Sequence, residues 1–430
     1  MNVIFILNDS FRPDHLGCYG NKWIKTPNID AFAKEAAVFT DAHSECLPTI
    51  PYRTSCFTGR FVLPFRGWQR LETNDILLAE VLWDKGVQTA LISDVYHMHK
   101  PTMAFERGFD YVKWVRGHEY DPWEKDASIP VDVTGHYKTD GKDKVVLKGT
   151  EQYLRNRHGW KSDADTFIAQ VMKEGMRYLD GLKKRDNVFL WIDAFDPHEP
   201  WDPMPPFDRM YAEPGFNGPF ITSPIPGYTK GYLNEDEIKG IKALYAGKVS
   251  QCDKWVGIFL DHLKKLGMFE NSLIIFNSDH GEPLNEHGFI RKAYPTPYIE
   301  ETQIPLIIRH PEGWGAGKKF DCFVNSPEIM PTLLDFMKVK GPKMHGSSLI
   351  PIMKGEKEKI RDFALSGRFK QSWRIMTKKW AFTHYLTSEY QDELFDRVND
   401  PAEQKNVLAE HPKERDELEL QMRRFLNELR

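Results

Sequence analysis

The sequence has little cysteine and no excess of charge of one sign. Its five cysteines are odd in number and widely spaced among 430 residues, which argues against a disulfide framework. The 58 Lys and Arg residues nearly balance the 62 Asp and Glu residues, so the formal net charge is only −4. Because a strongly basic surface is missing, we expect no nucleic-acid partner.

Long apolar runs are missing as well. No run reaches the roughly 20 residues that a membrane-spanning helix needs, so we expect no membrane partner. The chain starts with Met1 and enters a predicted strand at once, without the basic and apolar segments of a secretion signal. We therefore expect a cytoplasmic protein, and association into a homo-oligomer stays open.

Predicted strands alternate with predicted helices along most of the chain. Short apolar runs are typical of buried strands, and longer segments with apolar residues at helical spacing are typical of helices. This alternation predicts an α/β fold with a doubly wound, mostly parallel sheet. The predicted strands include Val3–Leu7, Thr89–Ile92, Val188–Ile192 and Leu273–Phe276, and the predicted helices include Asp30–Ala37, Ala164–Leu182 and the segment from Asn234 to Gly267.

After residue 350 the pattern changes to short apolar segments followed by a charged helix. We expect a catalytic α/β domain over residues 1–350 and a small C-terminal α+β subdomain over residues 351–430. Residues 101–159 and 200–232 are irregular and rich in aromatic side chains, among them Trp114, His118 and Tyr120. Such long insertions either wall an active site or pack as a satellite core beneath loops.

Polar residues follow two of the predicted strands. Asp9 comes directly after the first strand, and Asp279 and His280 follow Leu273–Phe276. Because the carboxyl ends of parallel strands form a ligand-binding edge, we expect these three side chains to lie together. Two carboxylates and an imidazole suit a divalent cation, and the hydroxyl of Thr49 would complete the set of ligands.

Residues 49–60 form a motif with a threonine at its head. Thr49-Ile-Pro51-Tyr-Arg53 is followed, four residues later, by Thr58-Gly-Arg60. Pro51 suits the first turn of a helix, so Thr49 would lie near a helix N-terminus, which favours an anion. Arg53 would add a permanent charge that can bind two anion oxygens. The alternative is an ordinary threonine N-cap with Arg53 as a paired charge.

This motif resembles the sulfatase signature Cys-x-Pro-x-Arg, four residues, then Thr-Gly-Arg, whose cysteine is oxidised to formylglycine. The register places Thr49 at the cysteine position and excludes Cys46, because Ile50 then occupies the arginine position. Other segments are similar to sulfatases too, and they are Asp9–Gly20, Pro197–Pro200, Asp279–Gly288 with Lys292, and Glu393–Asn406. The chain is thus identified as a member of the sulfatase family of the alkaline phosphatase superfamily, with no formylglycine expected.

The resemblance implies a metal-dependent ester hydrolase with Thr49 as the nucleophile. It assigns the metal to Asp9, Asp279, His280 and Thr49. Arg53 and Lys292 would neutralise the oxygens of the ester, and His198 or His97 would protonate the leaving oxygen. The lysine that sulfatases carry just before the position of His97 is missing, and Asp94 stands nearby.

A second metal ion is an alternative. The segment around His345 resembles the His-Gly-Ser-Leu segment of nucleotide phosphodiesterases, and Asp193, His198 and His345 would hold the second ion. Otherwise, one ion works with the histidines and Lys292 around the anion. Histidine ligands favour Zn²⁺ or Mn²⁺, with Ca²⁺ as the alternative, and Ser10 replaces an oxygen ligand that many sulfatases have.

The substrate expected from this resemblance is a small anionic ester, either a phosphodiester or a phosphonate monoester. These esters carry one negative charge, as a sulfate ester does, so they suit a modified sulfatase pocket. Without formylglycine and the missing lysine, hydrolysis of sulfate esters loses two of its usual supports. The main alternative is still a sulfatase acting on an organic sulfate, and a remote alternative is a non-catalytic anion-binding homologue.

Overall fold

The computed structural model describes residues 1–292 and 297–429. Strands and helices follow one another along this part of the chain. The strands are β1 (Asn2–Asn8), β2 (Ala37–His43), β3 (Gln88–Ser93), β4 (Tyr111–Trp114), β5 (Val188–Ala194), β6 (Gly227–Tyr228), β7 (Ser272–Asn277), β8 (Phe289–Ile290), β9 (Gln303–Arg309), β10 (Lys319–Asn325), β11 (Ala364–Arg368), β12 (Ser372–Met376), β13 (Trp380–Tyr385) and β14 (Glu393–Asp396). The α-helices are α1 (Pro27–Lys34), α2 (Thr49–Thr58), α3 (Leu78–Trp83), α4 (Val145–Asn156), α5 (Phe167–Gly181), α6 (Glu235–Lys265), α7 (Ile299–Thr302), α8 (Ile329–Met337), α9 (Ile350–Lys354) and α10 (Pro412–Glu428).

Eight of the strands form one large sheet in the order β10-β2-β9-β7-β1-β5-β3-β4. Every neighbouring pair is parallel except the two pairs that involve β9, which runs antiparallel to both β2 and β7. The sheet is therefore mostly parallel, and β1 lies in its interior between β5 and β7. The predicted fold class is confirmed.

Helices cover both faces of this sheet. Ile4 and Ile6 of β1 belong to a core with α1, α5 and α6, whereas Val3, Phe5 and Leu7 belong to a second core with α2, α3 and α8. Because successive side chains of a strand point to opposite faces, an uninterrupted apolar run such as β1 is the pattern of a strand buried on both sides.

The carboxyl ends of β1, β5 and β7 lie side by side. Leu7 of β1 pairs with Asp193 of β5 on one side and with Asn277 of β7 on the other. Just beyond the strand, the backbone N–H of Asp9 donates a hydrogen bond of 2.9 Å to the carbonyl of Ala194. The polar residues that follow these three strands are thus delivered to one edge of the sheet.

The C-terminal part of the chain forms a second, smaller sheet. Strands β11, β12, β13 and β14 follow one another as an antiparallel meander. Leu418, Met422 and Leu426 of α10 pack on apolar side chains of this sheet. The small C-terminal sheet with its terminal helix was predicted, whereas the boundary after residue 350 stays a prediction. Ile352 and Met353, just past that boundary, pack in the core of the large sheet.

Two expectations about local structure are wrong. The predicted helix Asp30–Ala37 begins earlier, at Pro27, and ends at Lys34, because Ala37 is already the first residue of β2. Residues 101–159 are not irregular throughout, since they contain β4 and the three-turn helix α4. Within the described residues, no helix is both long enough and apolar enough to cross a membrane.

Candidate active site

Asp9, Asp279 and His280 form a buried cluster at the edge where β1 and β7 end. Their ligand atoms all lie within 4.8 Å of one another. The Nε2 atom of His280 is 3.7 Å from a carboxylate oxygen of Asp9 and 3.6 Å from one of Asp279. The other ring nitrogen, Nδ1, donates to the carbonyl of Gly281 at 2.8 Å, so the ring is fixed with Nε2 facing the carboxylates.

The protonation states of this cluster suit a divalent cation. Burial lowers the pKa of His280 to about 4, so the imidazole is neutral near pH 7, as a metal ligand must be. Burial and the neighbouring Asp279 raise the pKa of Asp9 well above its usual value. The Oδ2 atom of Asp9 is buried and makes no hydrogen bond to any described residue. A cation would offset the repulsion between the two carboxylates and bind this oxygen, whose neighbour in the protein is Arg53 Nη2 at 3.2 Å.

Ser10 ties the two carboxylates together. Its hydroxyl donates to Asp9 Oδ1 at 2.9 Å, and its backbone N–H donates to Asp279 Oδ1 at 3.1 Å. Ser10 adopts a positive φ of 60°, a conformation that is uncommon for residues other than glycine. Ser10 stands where many sulfatases have an oxygen ligand, and here it orients the two carboxylates through hydrogen bonds.

Thr49 is the first residue of α2 and lies next to the metal-ligand cluster. Its hydroxyl oxygen is 3.4 Å from His280 Nε2, and the residue is 2% exposed. Cys46 lies elsewhere, in a small apolar cluster with Val62 and Leu63, and burial raises the pKa of its thiol well above the usual value. The structure thus brings Thr49 to the cluster, as the register of the motif predicts.

Arg53 is buried and binds groups of the protein. Its Nε and Nη2 bind both carboxylate oxygens of Asp193 at 2.9 and 2.5 Å, and its Nη1 binds Asp279 at 2.6 Å. Nη1 also donates to the carbonyl of Thr49 at 2.9 Å, and Nη2 lies 3.2 Å from Asp9. All three nitrogens are engaged with the protein. The expectation that Arg53 neutralises the ester oxygens is corrected, since Arg53 holds the carboxylates and the first turn of α2.

Lys292 lies between two buried glutamates. Its Nζ is 2.6 Å from Glu282 and 3.0 Å from Glu199, and Arg291 binds the second oxygen of Glu199. Burial opposes the charge of Lys292, but Glu199 and Glu282 raise its pKa above the usual value. Burial also raises the pKa of Glu282 to about 8. The site therefore holds a fixed ammonium group that is paired with the carboxylate of Glu199.

His198 is placed by the loop that follows β5. Its Nδ1 donates to the carbonyl of Glu199 at 2.7 Å, and its ring stacks on Phe195 with the centroids 4.0 Å apart. Lys248, buried on α6, donates to the carbonyls of His198 at 3.3 Å and Pro200 at 2.6 Å. Burial lowers the pKa of His198 well below its usual value, so its imidazole is neutral in the free protein.

His97 also lies near Phe195, with ring centroids 6.0 Å apart. Its Nε2 atom is 2.5 Å from a carboxylate oxygen of Glu119. The structure thereby places both candidate proton donors, His97 and His198, around one phenylalanine.

The three residues expected to hold a second metal ion do not come together. Asp193 is fully engaged by Arg53, and Trp191 donates to it as well. His345 lies at the opposite end of α2, where its Nδ1 accepts a hydrogen bond from the backbone N–H of Phe61 and its own N–H donates to Gly59. Within the described residues, the group of side chains close enough to share an ion is Asp9, Asp279 and His280.

Comparison with known proteins gives the family. A model of the sulfatase family matches residues 1–339, and a model of the C-terminal region of N-sulphoglucosamine sulphohydrolase matches residues 285–430. The chain belongs to the sulfatase family.

Relatives of this sulfatase-family chain include enzymes named for sulfate esters. An arylsulfatase from Clostridium perfringens is 26% identical over 472 residues, which cover 96% of this chain and 92% of that protein. A multifunctional alkaline phosphatase superfamily protein from Trinickia caryophylli is 25% identical over 414 residues, which cover 82% of this chain and 77% of that protein. The family assignment made from the sequence is confirmed, as is the assignment to ester-hydrolysing enzymes.

Solved structures share the fold over the full length. The phosphonate monoester hydrolase of Agrobacterium radiobacter has a TM-score of 0.78 at 20% identity and covers 99% of this chain and 96% of its own. A structure solved in complex with its substrate D-glucosamine-2-N,6-O-disulfate has a TM-score of 0.75 at 21% identity and covers 100% of this chain and 98% of its own.

Several charged residues of this sulfatase-family site could not be assigned a role from the sequence. Glu199 and Glu282 stand inside the motifs that contain His198 and His280. Their position next to these histidines was the one sequence feature that could have pointed to a role in the site. For Arg291, the only sequence feature that points to the site is its position next to Lys292. Glu119 gives no local signal, because it lies in an aromatic-rich insertion far from every motif.

Proposed function

We propose that this chain hydrolyses a phosphodiester or a phosphonate monoester, with Thr49 as the nucleophile. The observation that carries the proposal is the position of the Thr49 hydroxyl, 3.4 Å from His280 Nε2, at the place in the motif where sulfatases have their catalytic cysteine. Asp9, Asp279 and His280 would hold a divalent ion there. When bound, that ion lowers the pKa of a neighbouring hydroxyl and so supplies an alkoxide nucleophile near neutral pH.

Thr49, His198 and Lys292 carry out the remaining steps of the reaction. The hydroxyl of Thr49 loses its proton to water, and its oxygen attacks the phosphorus while the bond to the leaving oxygen breaks. His198, protonated in the complex with the anion, gives its Nε2 proton to that leaving oxygen. Water then cleaves the phosphothreonine, with His198 taking a proton from it and the Thr49 oxygen leaving. Lys292 supplies the positive charge that binds the ester oxygens.

The likeness to sulfatases favours an ester with a single negative charge. A phosphodiester and a phosphonate monoester carry one negative charge, as a sulfate ester does, so they suit a modified sulfatase pocket. The carboxylate of Glu199 already offsets part of the positive charge of Lys292, which makes a dianionic phosphate monoester the poorer fit. An organic sulfate also carries one charge, and the arylsulfatase relative supports it as the second candidate substrate.

The donor set also supports a choice of metal. Two carboxylates and one imidazole, with the Thr49 oxygen as a fourth ligand, match the preferences of Zn²⁺ or Mn²⁺ better than the all-oxygen shell of Ca²⁺. Metal analysis of the purified protein, followed by chelation and reconstitution with each ion, tests this choice. A single calcium ion that alone restores activity would contradict it.

Parallel assays test the function. The purified protein would be incubated with aryl phosphodiester, phosphonate monoester, phosphate monoester and sulfate ester substrates that release the same phenol. We expect the two singly charged phosphorus esters to give the highest kcat/KM, and we expect quenched samples to contain phosphothreonine at Thr49 by peptide mass spectrometry. Turnover of the sulfate ester alone would favour the second candidate.

A further inference from the structure

The loop that follows β4 is locked in place on both sides of Glu119. The carboxylate of Asp121 accepts hydrogen bonds from the guanidinium of Arg116 at 2.7 and 2.6 Å and from the N–H of Gly117 at 2.7 Å. Asn156 of α4 donates to the carbonyls of Gly117 and Asp121 at 2.7 and 2.8 Å. The backbone before and after Glu119 is therefore held by several independent hydrogen bonds.

The residues beside Glu119 in sequence are fixed as well. His118 is buried, and its Nδ1 lies 2.8 Å from the carboxylate of Asp94. Tyr120 interacts with the charge of Arg291, which in turn binds Glu199 beside Lys292. Three consecutive side chains of this loop thus reach the interior, and one of them contacts an arginine of the active site.

Glu119 itself has a strained backbone. Its φ is 51°, and it is 6% exposed. A side chain other than glycine rarely adopts this left-handed conformation, because Cβ approaches the backbone, and such strain concentrates at functional sites. The surrounding hydrogen bonds keep the strained conformation, in which the carboxylate lies 2.5 Å from His97 Nε2.

Besides the carboxylate of Glu119, the ring of His97 has aromatic neighbours. Trp68 meets it edge-on with centroids 4.9 Å apart, and Phe195, which stacks on His198, lies 6.0 Å from it. Its second nitrogen, Nδ1, is buried and makes no hydrogen bond to a described residue. Although burial opposes ionisation, His97 brings the pKa of Glu119 to about 2, so the glutamate is a carboxylate at ion-pair distance from His97 Nε2.

We infer that Glu119 is a positioning residue of the active site, whose carboxylate fixes the orientation of the His97 ring and the hydrogen on Nε2. This inference rests on the proposed function, for which His97 is, besides His198, a candidate proton donor to the leaving oxygen. Glu119 acts through His97 and does not itself touch the substrate.

Removal of the Glu119 side chain tests this inference. Glu119→Gly suits the left-handed backbone, so the variant should fold with a melting temperature close to that of the wild type. We expect kcat/KM for the best ester to fall by about ten- to a hundredfold, as for the carboxylate partners of other functional histidines. Glu119→Gln, which keeps a hydrogen-bond acceptor, should lose less.

A double-substitution cycle separates positioning from a general structural effect. If Glu119 acts through His97, the protein with both Glu119→Gly and His97→Gln should have the same kcat/KM as His97→Gln alone, within about twofold. Losses that multiply in the double variant would overturn the inference. Asp392→Asn, which breaks the histidine–carboxylate pair with His384 (2.9 Å) on the C-terminal sheet, is the control and should leave kcat/KM unchanged.

A spectroscopic measurement keeps the inference testable even without turnover. In wild-type protein labelled with ¹⁵N-histidine, the Nε2 signal of His97, assigned by its loss in His97→Gln, should report a protonated nitrogen in a hydrogen bond. In Glu119→Gly this signal should shift, and an unchanged signal would overturn the inference. A wild-type chain that hydrolyses none of the esters would instead contradict the proposed function, while the spectra would still decide on Glu119.

Discussion

Replacement of Thr49 distinguishes a nucleophile from an ordinary first residue of a helix. We expect Thr49→Ala to lower kcat by about a thousandfold or more, because the attacking oxygen is lost while Lys292 and the metal ligands remain. Thr49→Ser should keep part of the activity, since serine retains the hydroxyl and loses only the methyl group that restricts its rotamers. Steady-state kinetics with one aryl phosphodiester measure both variants.

The control for the Thr49 variants is to measure their metal content and their thermal stability. Asp9, Asp279 and His280 are unchanged in both variants, so each should bind as much metal as the wild type and melt at a similar temperature. If Thr49→Ala hydrolysed the diester at a rate near that of the wild type, direct attack by water would replace the covalent mechanism.

Arg53 balances the buried negative charge of three aspartates. Arg53→Ala would leave Asp9, Asp193 and Asp279 without their shared cation, and breaking such a buried pair costs about 3–5 kcal/mol of folding stability. Urea denaturation of the metal-free protein should show this loss. Added metal should recover more stability in Arg53→Ala than in the wild type, because the ion offsets part of the unpaired charge.

Arg53→Lys separates charge from geometry at this position. Lysine keeps one positive charge but cannot bind both oxygens of Asp193 as the guanidinium does. We expect a smaller loss of stability than in Arg53→Ala, with kcat still reduced because the first turn of α2 loses its tie to Arg53. Equal stability of Arg53→Ala and the wild type without metal would contradict this account.

At the scale of elements, substitutions at two glycines test how closely the segment before β4 packs on helix α3. Gly86 and Gly108 both have positive φ, 73° and 82°. A Cβ at Gly86 would meet nothing within 4 Å, whereas a Cβ at Gly108 would lie 2.2 Å from the backbone nitrogen of Glu80 in α3. Gly86→Ala should cost about 1–2 kcal/mol through its backbone alone, and Gly108→Ala clearly more.

Thermal and urea denaturation of the two variants measure this difference. Because β4 leads into the loop that carries Glu119, Gly108→Ala should also lower kcat in the fraction that stays folded. Similar stabilities for the two variants would mean that α3 and the segment before β4 can move apart at little cost.

The strands in the middle of the sheet could be predicted, whereas those at one side could not. β1, β5 and β7 are apolar almost throughout, because both of their faces are buried under helices. β10 (Lys319–Asn325) has exposed and half-buried residues in its first half and so lacks such a run. The helix α4 was missed because Gly149 and the polar residues around it resemble a loop, while Tyr153 and Leu154 supply its packing.

The cluster of Asp9, Asp279 and His280 was predictable from strand ends, but the roles of charged residues around it were not. Asp9 and Asp279 stand within two residues of the ends of buried strands, so the sheet itself determines their meeting. Arg53 and Asp193 are 140 residues apart, so the sequence does not show that they are in contact. The guanidinium of Arg53 points into the protein because it binds both carboxylate oxygens of Asp193. His345 was misplaced for the same reason, since its motif does not reveal which end of α2 it reaches.

At the scale of the whole molecule, two histidines, the buried His310 and the half-buried His345, make stability depend on pH. Burial, with nearby Lys354 and Arg309, lowers the pKa of His310 to about 4, and burial, with Arg60 and Lys343, lowers that of His345 to about 4. Their usual value is 6.5. The unfolded chain therefore binds more protons than the folded protein between these values, so stability is complete above pH 6.5 and is lost as the pH falls towards 4.

Asparagine variants test this contribution without removing the hydrogen bonds. The Nδ1 atoms of His310 and His345 each accept from a backbone N–H at 3.1 Å, and an asparagine oxygen can accept in the same way. We expect His310→Asn and His345→Asn each to reduce the loss of stability between pH 7 and pH 4.5 by roughly 1 kcal/mol, allowing for solvent screening. Urea denaturation at both values measures it, and an unchanged pH dependence in both variants would be contrary to expectation.

The interior position of β1 has a consequence for synthesis of the protein. The ribosome makes β1 first, but both of its partners in the sheet come much later, at residues 188–194 and 272–277. At about 5–20 residues per second, that strand waits for tens of seconds before β7 emerges. Both edges of this apolar strand stay unpaired until β5 is made, and one edge stays unpaired until β7 follows. An unpaired edge can pair with other chains. The nascent chain thus needs shielding, such as a chaperone provides, until residue 277 has left the exit tunnel.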